Sequence, residues 1–303
     1  MNQPQVSVII LNWNRKEDTL DLLQQLKKQT YKVLEIIVVD NASTDSSVVS
    51  IKKHFPQVRI VQLKNNIALA GFNEGMKVAQ SDYLLLLACD TVVTNNLVEK
   101  HIAKFKHNRK LGMSCPSTFA FESGKYLGPN RGIYGDNKKG YRVSYFDGNG
   151  ICLRREVYVQ TSGYALHYFI CLEELEWAVR ILNAGYDIRC FTDVVIYHKK
   201  SVIGGNYRGR QGFYYSRNWM WFYAQYIPFR EMPRFLWQHF NSFVKKTKSS
   251  GTMRKRDCVL GIIASLKQLP YIYVRQRNPL NAHIIKRIAA DLFPNSKHLY
   301  IET

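Results

Sequence analysis

The chain has 303 residues, of which 46% are hydrophobic and 13% aromatic, and its formal net charge is +20. This composition excludes a disordered protein, and six scattered cysteines without a C-x-x-C pair argue against a disulfide framework or a zinc site and fit a reducing cytoplasm. The start of the chain lacks the pattern of a signal peptide, and no apolar stretch reaches the roughly 18 residues that span a bilayer, which predicts a protein that is soluble or only peripherally attached to a membrane.

The N-terminal part of the chain alternates between predicted strands and predicted helices. The strands are expected at 6–11, 34–39, 58–63 and 83–89, and the helices at 15–28, 48–54 and 71–80. This alternation predicts right-handed crossovers and a mostly parallel sheet sandwiched by helices, an α/β fold. Ligands of such sheets bind beyond the carboxyl ends of the strands.

Polar side chains follow each of these four strands. They are Asn12 and Asn14, Asp40 and Asn41, Asn65 and Asn66, and Asp90. Asn and Asp are also favoured in turns, because their side chains bond to nearby backbone, and for any single residue that explanation comes first. The presence of such residues after all four strands favours instead a rim that binds a polar ligand.

The sequence lacks the glycine-rich loops that bind phosphates in many α/β proteins. Neither G-x-G-x-x-G nor G-x-x-x-x-G-K-[ST] follows any predicted strand, which argues against a dinucleotide dehydrogenase or a P-loop enzyme. A nucleotide diphosphate bound to this rim would need another partner for its charge. A divalent metal ion held by a carboxylate would meet that need.

A second candidate region is a helix predicted from Leu172 and containing the segment LEELEW. Helical spacing places Glu173, Glu176 and Arg180 on one side of the helix. An ion pair between Glu176 and Arg180 on the protein surface would account for the presence of both glutamates there. Glu174 projects from the opposite flank and lacks such an explanation. Farther along, His198 closes an apolar run, and by itself this pattern indicates a strand-end histidine bonded to backbone.

The last third of the chain is strongly basic. From residue 199 to residue 303 there are 19 Lys or Arg residues and four acidic residues, so this part carries +15 of the net charge. Such a cluster attracts polyanions, either nucleic acid or an anionic membrane, where each basic residue near the surface contributes about 1 kcal/mol. The aromatic segment 205–230, and less densely 256–277, suits a bilayer interface; the alternative is a helical extension that packs its aromatics in a core.

Six segments together resemble the inverting nucleotide-sugar glycosyltransferases of family 2, which have the GT-A fold and include bacterial rhamnosyltransferases. The segments are VSVIILNWNR (6–15), EIIVVDNASTDSS (35–47), NNIALAGFNEG (65–75), SDYLLLLACD (81–90), GNGICLRRE (148–156) and FICLEELEWAVRILNAGYDIRCFTDVVIYH (169–198). The resemblance implies a GT-A catalytic domain over 1–200 and a helical basic and aromatic extension over 201–303.

The resemblance also implies roles for individual residues. Donor contacts are expected from Leu11, Asn12, Asn14, Asp40, Asn73, Asp90 and Arg217, with Asp40 at the nucleoside and Asn73 and Arg217 near the diphosphate. Asp90 and His198 would hold Mn²⁺ or Mg²⁺, although Ala88 stands where a carboxylate or amide is usual. Glu174 would be the base that accepts the proton of the acceptor hydroxyl.

By resemblance, the protein is a metal-dependent inverting glycosyltransferase. It would move a sugar from a nucleotide-diphosphate donor to a glycan or lipid-linked acceptor in bacterial surface polysaccharide or glycolipid synthesis. It would act in the cytoplasm, peripherally on the inner face of the cytoplasmic membrane, with no nucleic acid as partner. Two alternatives stay open: a nucleic-acid-binding protein, and a catalytically inactive partner subunit, which the loss of a carboxylate at Ala88 would fit.

Overall fold

A computed structural model describes residues 3–106, 108–128, 139–199, 210–238 and 254–292. The strands are β1 (Val6–Asn12), β2 (Glu35–Asp40), β3 (Arg59–Gln62), β4 (Tyr83–Ala88), β5 (Thr91–Val93), β6 (Leu111–Ala120), β7 (Tyr126–Gly128), β8 (Tyr141–Arg142), β9 (Ile151–Arg154) and β10 (Asp187–His198). The helices are α1 (Lys16–Leu26), α2 (Ser47–His54), α3 (Gly71–Val78), α4 (Leu97–Phe105), α5 (Arg155–Thr161), α6 (Glu173–Asn183), α7 (Gln211–Tyr226), α8 (Lys255–Leu266), α9 (Leu269–Arg275) and α10 (Ala282–Leu292).

The chain divides into two compact units. The first comprises residues 1–169 and 177–200 and contains all ten described strands. The second comprises residues 170–176 and 201–303, so that it takes in the beginning of α6 as well as the C-terminal helices. Each unit has its own buried apolar residues.

The sheet of the first unit is parallel on one side and mixed on the other. Its strand order is β3-β2-β1-β4-β9-β6-β10-β5, with β7 beside β6 and β8 beside β10. The four N-terminal strands are parallel to one another, as the alternation of strands and helices predicts. Beyond them, β9 runs antiparallel to both β4 and β6, and β10 is parallel to β6.

Packing on both faces explains the apolar composition of the central strands. The side chains of Leu84, Leu85, Leu86 and Leu87 in β4 are fully buried, as expected of a strand covered by helices on both sides. Helix α3 approaches the sheet at Gly75, where a Cβ atom would lie 2.4 Å from Cγ2 of Ile9. A larger residue there would push the helix off the sheet and displace the loop that precedes it.

The aromatic helix α7 belongs to the core of the second unit. Trp219, Trp221, Phe222, Tyr223 and Tyr226 are each at most 5% exposed. The interpretation that this part of 205–230 faces a bilayer is therefore wrong, and the packing alternative holds. Residues 205–209 of that segment lie outside the described residues. Within the part of the chain that the structure describes, no helix is both long and apolar enough to cross a bilayer.

Candidate active site

Asp40 and Asn12 form the centre of a hydrogen-bonded network at the ends of β1 and β2. The two residues are opposite each other in the parallel register, and both are buried. Asn12 donates from Nδ2 to Oδ1 of Asp40 at 2.9 Å, and Oδ2 of Asp40 accepts the backbone N–H of Ser43 at 3.1 Å. Thr19 completes the arrangement by donating to Oδ1 of Asn12 at 2.8 Å. These bonds fix the Asp40 carboxylate before any ligand arrives.

The other polar residues of this rim stabilise its loops. Asn14 has a left-handed backbone conformation (φ 52°), and its Oδ1 accepts the backbone N–H of Thr44 at 2.7 Å. Asn41 donates to Oδ1 of Asn66 at 2.9 Å and accepts from the backbone of Ile67 at 2.9 Å. Turn chemistry thus accounts for part of the pattern, while the strand order brings all these side chains to one rim.

Leu11 and Asn73 have surroundings that the sequence did not reveal. Leu11 lies near the end of β1 and is half-buried; a Cβ atom on Gly71 would lie 2.7 Å from its Cδ1 atom. Asn73 donates from Nδ2 to the carbonyl oxygen of Tyr164 at 2.7 Å and accepts the N–H of the same residue at 2.9 Å. The Asn73 amide therefore stabilises the loop around residue 164, and its contact with a donor stays a prediction.

Asp90 and His198, separated by more than a hundred residues in sequence, lie side by side. Strand β5 follows Asp90 directly and pairs antiparallel with β10, which places His198 opposite Thr91. Nε2 of His198 is 3.1 Å from Oδ1 of Asp90, and the hydrogen bond to Asp90 is the largest cause that raises the pKa of His198. On the other side, a guanidinium nitrogen of Arg15 lies 3.3 Å from Oδ2 of Asp90.

The Asp90 and His198 side chains fit a divalent cation as a partial ligand set. Oδ1 of Asp90 is buried with Nε2 of His198 3.1 Å away, and a carboxylate oxygen beside an imidazole nitrogen suits Mn²⁺ better than Mg²⁺. Among the described residues, His, Cys, Asp and Glu form no group of three that could hold a metal ion. Two side chains leave most coordination positions to the oxygen atoms of a diphosphate.

Two neighbours complete the electrostatics of this pair. Asp147 still reaches solvent, but desolvation raises the pKa of its carboxyl, with His198 acting in the opposite direction and Asp90 adding to the rise. Burial raises the pKa of the Cys89 thiol to about 12, so the buried Cys89 side chain packs as a neutral thiol. Sequence reasoning missed Arg15, although its position directly after Asn14 at the rim was an available signal.

The three glutamates at the start of α6 have different surroundings in the second unit. Glu173 and Glu176 are only 5% and 1% exposed, so the expectation that both are surface residues is wrong. Glu176 accepts a hydrogen bond from the Tyr226 hydroxyl at 2.5 Å, because α7 supplies the buried partner. Burial raises the pKa of Glu173 to about 7, and its Oε2 atom has no hydrogen-bond partner. Glu174 is half-buried, the most accessible of the three.

The loop before α6 is strained and is held by α7. Cys171 and Leu172 have left-handed backbone conformations with φ near 70°, which is costly for residues other than glycine. The buried side chain of Asn218 donates to the carbonyl oxygens of Ile170 at 2.8 Å and Cys171 at 2.7 Å. These bonds stabilise the conformation from which the helix with the glutamates begins.

Arg217 lies next to this bond on α7. Its Nε atom donates to Oδ1 of Asn218 at 2.9 Å, and its guanidinium group is 4.3 Å from the centre of the Trp221 ring. Burial raises the pKa of the Cys171 thiol, and the positive charge of Arg217 lowers it by a smaller amount. Arg217 is therefore held by Asn218 and Trp221 beside the loop before α6; its contact with a pyrophosphate stays a prediction.

Comparison with known proteins agrees with this fold. Residues 7–163, more than half of the chain, match the sequence model of Glycosyl transferase family 2. The chain belongs to this family. As a family 2 protein it is similar to YibD of Escherichia coli K12, described as an uncharacterized glycosyltransferase, with 33% identity over 97 residues, 31% of this chain and 28% of YibD. The chain spans about a fifth to a third of the length of the first curated relatives it matches.

Solved structures confirm the GT-A fold of this family 2 chain. Staphylococcus aureus TarS, solved with UDP-GlcNAc, aligns with a TM-score of 0.54 and 16% identity over 65% of this chain and 59% of the TarS chain. The mannosyltransferase PcManGT of Pyrobaculum calidifontis, solved with GDP-Man and Mn²⁺, aligns with a TM-score of 0.53 and 16% identity over 99% of this chain and 77% of that chain. At this identity the likeness establishes the fold alone.

Proposed function

We propose that this chain is an inverting glycosyltransferase that moves a sugar from a nucleotide-diphosphate donor to a hydroxyl group of a glycan or lipid-linked acceptor. The observation that carries the proposal is the Asp90 and His198 pair, 3.1 Å apart at the carboxyl rim of a GT-A sheet that also presents the fixed Asp40 carboxylate. Two proteins with the same fold were solved with nucleotide sugars, which supports this substrate class.

The donor is proposed to bind at the rim of the first unit. The residues assigned to it there are Leu11, Asn12, Asn14, Asp40, Asn73 and Asp90. Asp40 is held at both of its oxygen atoms, and such a preorganised acceptor suits a ribose hydroxyl or a base N–H. Arg217 is assigned separately to the pyrophosphate, since a guanidinium group binds phosphate oxygens in two-point geometry.

Asp90 and His198 are proposed to hold Mn²⁺ or Mg²⁺. When bound, the ion would neutralise charge that develops on the diphosphate leaving group. Arg15, at 3.3 Å from Asp90, adds a positive charge that the protein itself supplies beside the same carboxylate. The absence of a carboxylate at residue 88 agrees with a site to which the donor oxygens contribute most ligands.

Glu174 is proposed as the base. As the acceptor oxygen attacks the anomeric carbon and the bond to the diphosphate breaks, Glu174 would take the hydroxyl proton. Its half-buried side chain can be reached by an acceptor, whereas Glu173 is 5% exposed and Glu176 is bonded to Tyr226. Accessibility thus supports Glu174 over its two neighbours.

The test compares transfer by the wild-type protein with transfer by Glu174→Gln and Asp90→Ala, in the presence of Mn²⁺ or Mg²⁺. We expect Glu174→Gln to lower kcat by about 10² to 10⁴ while donor binding is kept, because only the proton acceptor is lost. Asp90→Ala should remove the effect of the metal on donor binding, measured as a thermal shift across a panel of nucleotide sugars. Full turnover in both variants would contradict the proposal.

The exposed carboxylate Glu17, whose side chain is 79% exposed, provides the matched control. Glu17→Gln removes the same charge from the surface of α1 and should leave kcat unchanged. Donor binding by the wild type without any transfer would favour the inactive partner subunit instead. Steeply salt-dependent binding to single-stranded nucleic acid, with no response to nucleotide sugars, would favour the nucleic-acid-binding alternative.

We further propose that the protein acts in bacterial surface polysaccharide or glycolipid synthesis, in the cytoplasm, at the inner face of the cytoplasmic membrane. The charge of +15 over residues 199–303 supports a partner with an anionic surface. A lipid-linked acceptor would be presented at such a surface.

A further inference from the structure

Helix α8 packs in an unusual way, with small residues inside and large apolar residues outside. Cys258, Gly261 and Ser265 are buried, and a Cβ atom on Gly261 would lie 2.2 Å from the carbonyl oxygen of Phe213 in α7. The Ser265 carbonyl oxygen accepts a hydrogen bond from Nε1 of Trp221 at 3.1 Å. This close approach fixes the orientation of α8 and leaves its larger side chains on the other side.

Exposed apolar side chains lie on the outer side of α8 and on the adjoining α9, and together they are called the apolar face. It includes Val259, Leu260, Ile263 and Leu266 of α8 and Tyr271 and Val274 of α9. Val274 is the most exposed of these, at 73%, and the others are between 45% and 60% exposed. Scattered apolar residues on a surface need no explanation, but several on two successive helices mark an interaction site.

Cations border this face. Arg254, Lys255 and Arg256 are exposed at the beginning of α8, and Lys267 and Arg275 are exposed at its end and at the end of α9. Between residues 254 and 277 the sequence has a single acidic residue, Asp257. The pattern is apolar side chains flanked by positive charge on consecutive helices, which is typical of helices that lie in the plane of a bilayer interface.

We propose that the face formed by α8 and α9 docks on an anionic phospholipid bilayer. Its aliphatic side chains would enter the region between head groups and acyl chains, while the flanking cations contact acidic head groups. A second copy of the chain would bring five flanking cations against five others, which disfavours self-association through this face. Nucleic acid is disfavoured too, because Tyr271 is the one aromatic side chain among the six residues named, and the five aliphatic ones provide no stacking surface for bases.

This inference deepens the proposed function, since a lipid-linked acceptor would be found at the same surface. Docking itself requires neither donor nor acceptor. Its failure can therefore be told apart from failure of the proposed transfer, which is measured with a soluble acceptor in the absence of vesicles.

The test is co-sedimentation of the full chain with vesicles of phosphatidylglycerol and phosphatidylcholine, and with vesicles of phosphatidylcholine alone. We expect binding to the anionic vesicles, weakened by added salt. Val274→Glu, alone and together with Ile263→Glu, should lower the partition coefficient by about tenfold or more, because a charge then enters the interface. Lys267→Glu should lower it by about tenfold as well, since it removes one positive charge and adds one negative charge.

Matched controls separate this face from a general charge effect. Val159, on the surface of α5, is 70% exposed, so Val159→Glu makes the same change as Val274→Glu in a different unit. Lys52→Glu, at an exposed position of α2, matches Lys267→Glu in the same way. Both control variants should bind vesicles nearly as the wild type does.

Three outcomes would overturn the proposal. The first is that the wild type does not sediment with anionic vesicles. The second is that Val159→Glu weakens binding as much as Val274→Glu does. The third is a vesicle-free oligomer, seen by light scattering, that dissociates on Val274→Glu. Since Val274 is largely exposed, its replacement should keep the thermal unfolding temperature of the wild type, which is measured alongside.

Discussion

Glu173, Glu174 and Glu176 are three carboxylates within four residues, yet the tertiary contacts give each a different character. Glu176 accepts a hydrogen bond from the Tyr226 hydroxyl, Glu173 is buried with one oxygen unpaired, and Glu174 stays accessible. A helical projection separates Glu174 from the other two correctly. It cannot say which side of the helix is buried, because α7 covers the side that the projection left to solvent.

At the residue scale, Glu173 should make stability depend on pH. Burial raises its pKa from 4.5 to about 7, so between these values the unfolded chain ionises while the folded chain keeps the proton. The contribution of the protonated Glu173 to the stability of the folded state is fully present below pH 4.5 and is lost as the pH rises through about 7. We expect Glu173→Gln to be more stable than the wild type at pH 8, by up to about 3 kcal/mol, and nearly equal to it at pH 4.

Denaturant unfolding of the two proteins across this pH range checks the prediction. Glu17→Gln is the control, because Glu17 is exposed and its replacement should change the stability equally little at every pH. A constant difference between Glu173→Gln and the wild type would show that the carboxyl is not held neutral by burial.

A second prediction at the residue scale concerns Arg15. Its guanidinium group lies 3.3 Å from Oδ2 of Asp90 and competes electrostatically with any cation at that carboxylate. Arg15→Gln should therefore increase the affinity for Mn²⁺ alone, without donor, by about fivefold, which corresponds to about 1 kcal/mol at a hydrated site. Lys52→Gln is the control, because it removes one positive charge at an exposed position of α2. Calorimetric titration with Mn²⁺ measures both; a lower affinity in Arg15→Gln would contradict the expectation.

At the scale of elements, α7 orders the segment from which α6 begins. Asn218 donates to two carbonyl oxygens of the strained loop, so Asn218→Ala leaves both without this partner. We expect a loss of about 1 to 3 kcal/mol in the free energy of unfolding and a drop in kcat larger than any change in the donor KM, because Glu174 loses its fixed position.

Asn281→Ala is the matched control for this prediction. Asn281 also bonds to backbone within the second unit, accepting the N–H of Ile284 at 3.0 Å at the start of α10. Its loss should reduce the thermal unfolding temperature slightly and leave kcat unchanged. If the two variants lose the same share of kcat, Asn218 acts on general stability and not on the glutamates.

At the scale of the whole molecule, residues 170–176 belong to the second unit although the chain returns to the first unit afterwards. A fragment that ends at residue 200 therefore lacks α7, which bonds to Glu176 and to the loop at 170–171. We expect this fragment to show no transfer and to unfold at a lower temperature than the full chain. Circular dichroism melting and a turnover assay measure this, and full activity of the fragment would contradict it.

The sequence by itself determined the N-terminal architecture. The apolar run of four leucines predicts a strand buried on both faces, and the alternation of strands with short helices predicts the parallel register of β1 to β4, because both signals are local and recur with the period of their element. Because these strands are parallel, the polar residues that follow them lie at the same rim of the sheet. The same local signals located the glutamate helix and the strand that ends at His198.

Only the tertiary structure decided which side chains meet. Asp90 and His198 are neighbours because β5 pairs antiparallel with β10, and no local periodicity encodes that pairing. The aromatics of α7 are buried while the aliphatics of α8 and α9 are exposed, although both segments read alike as basic and apolar. The reason is that a close helix contact requires small residues, and Gly261 and Ser265 turn the small side of α8 inward. Composition reports how much apolar surface a helix carries, and packing decides which part of it remains in contact with solvent.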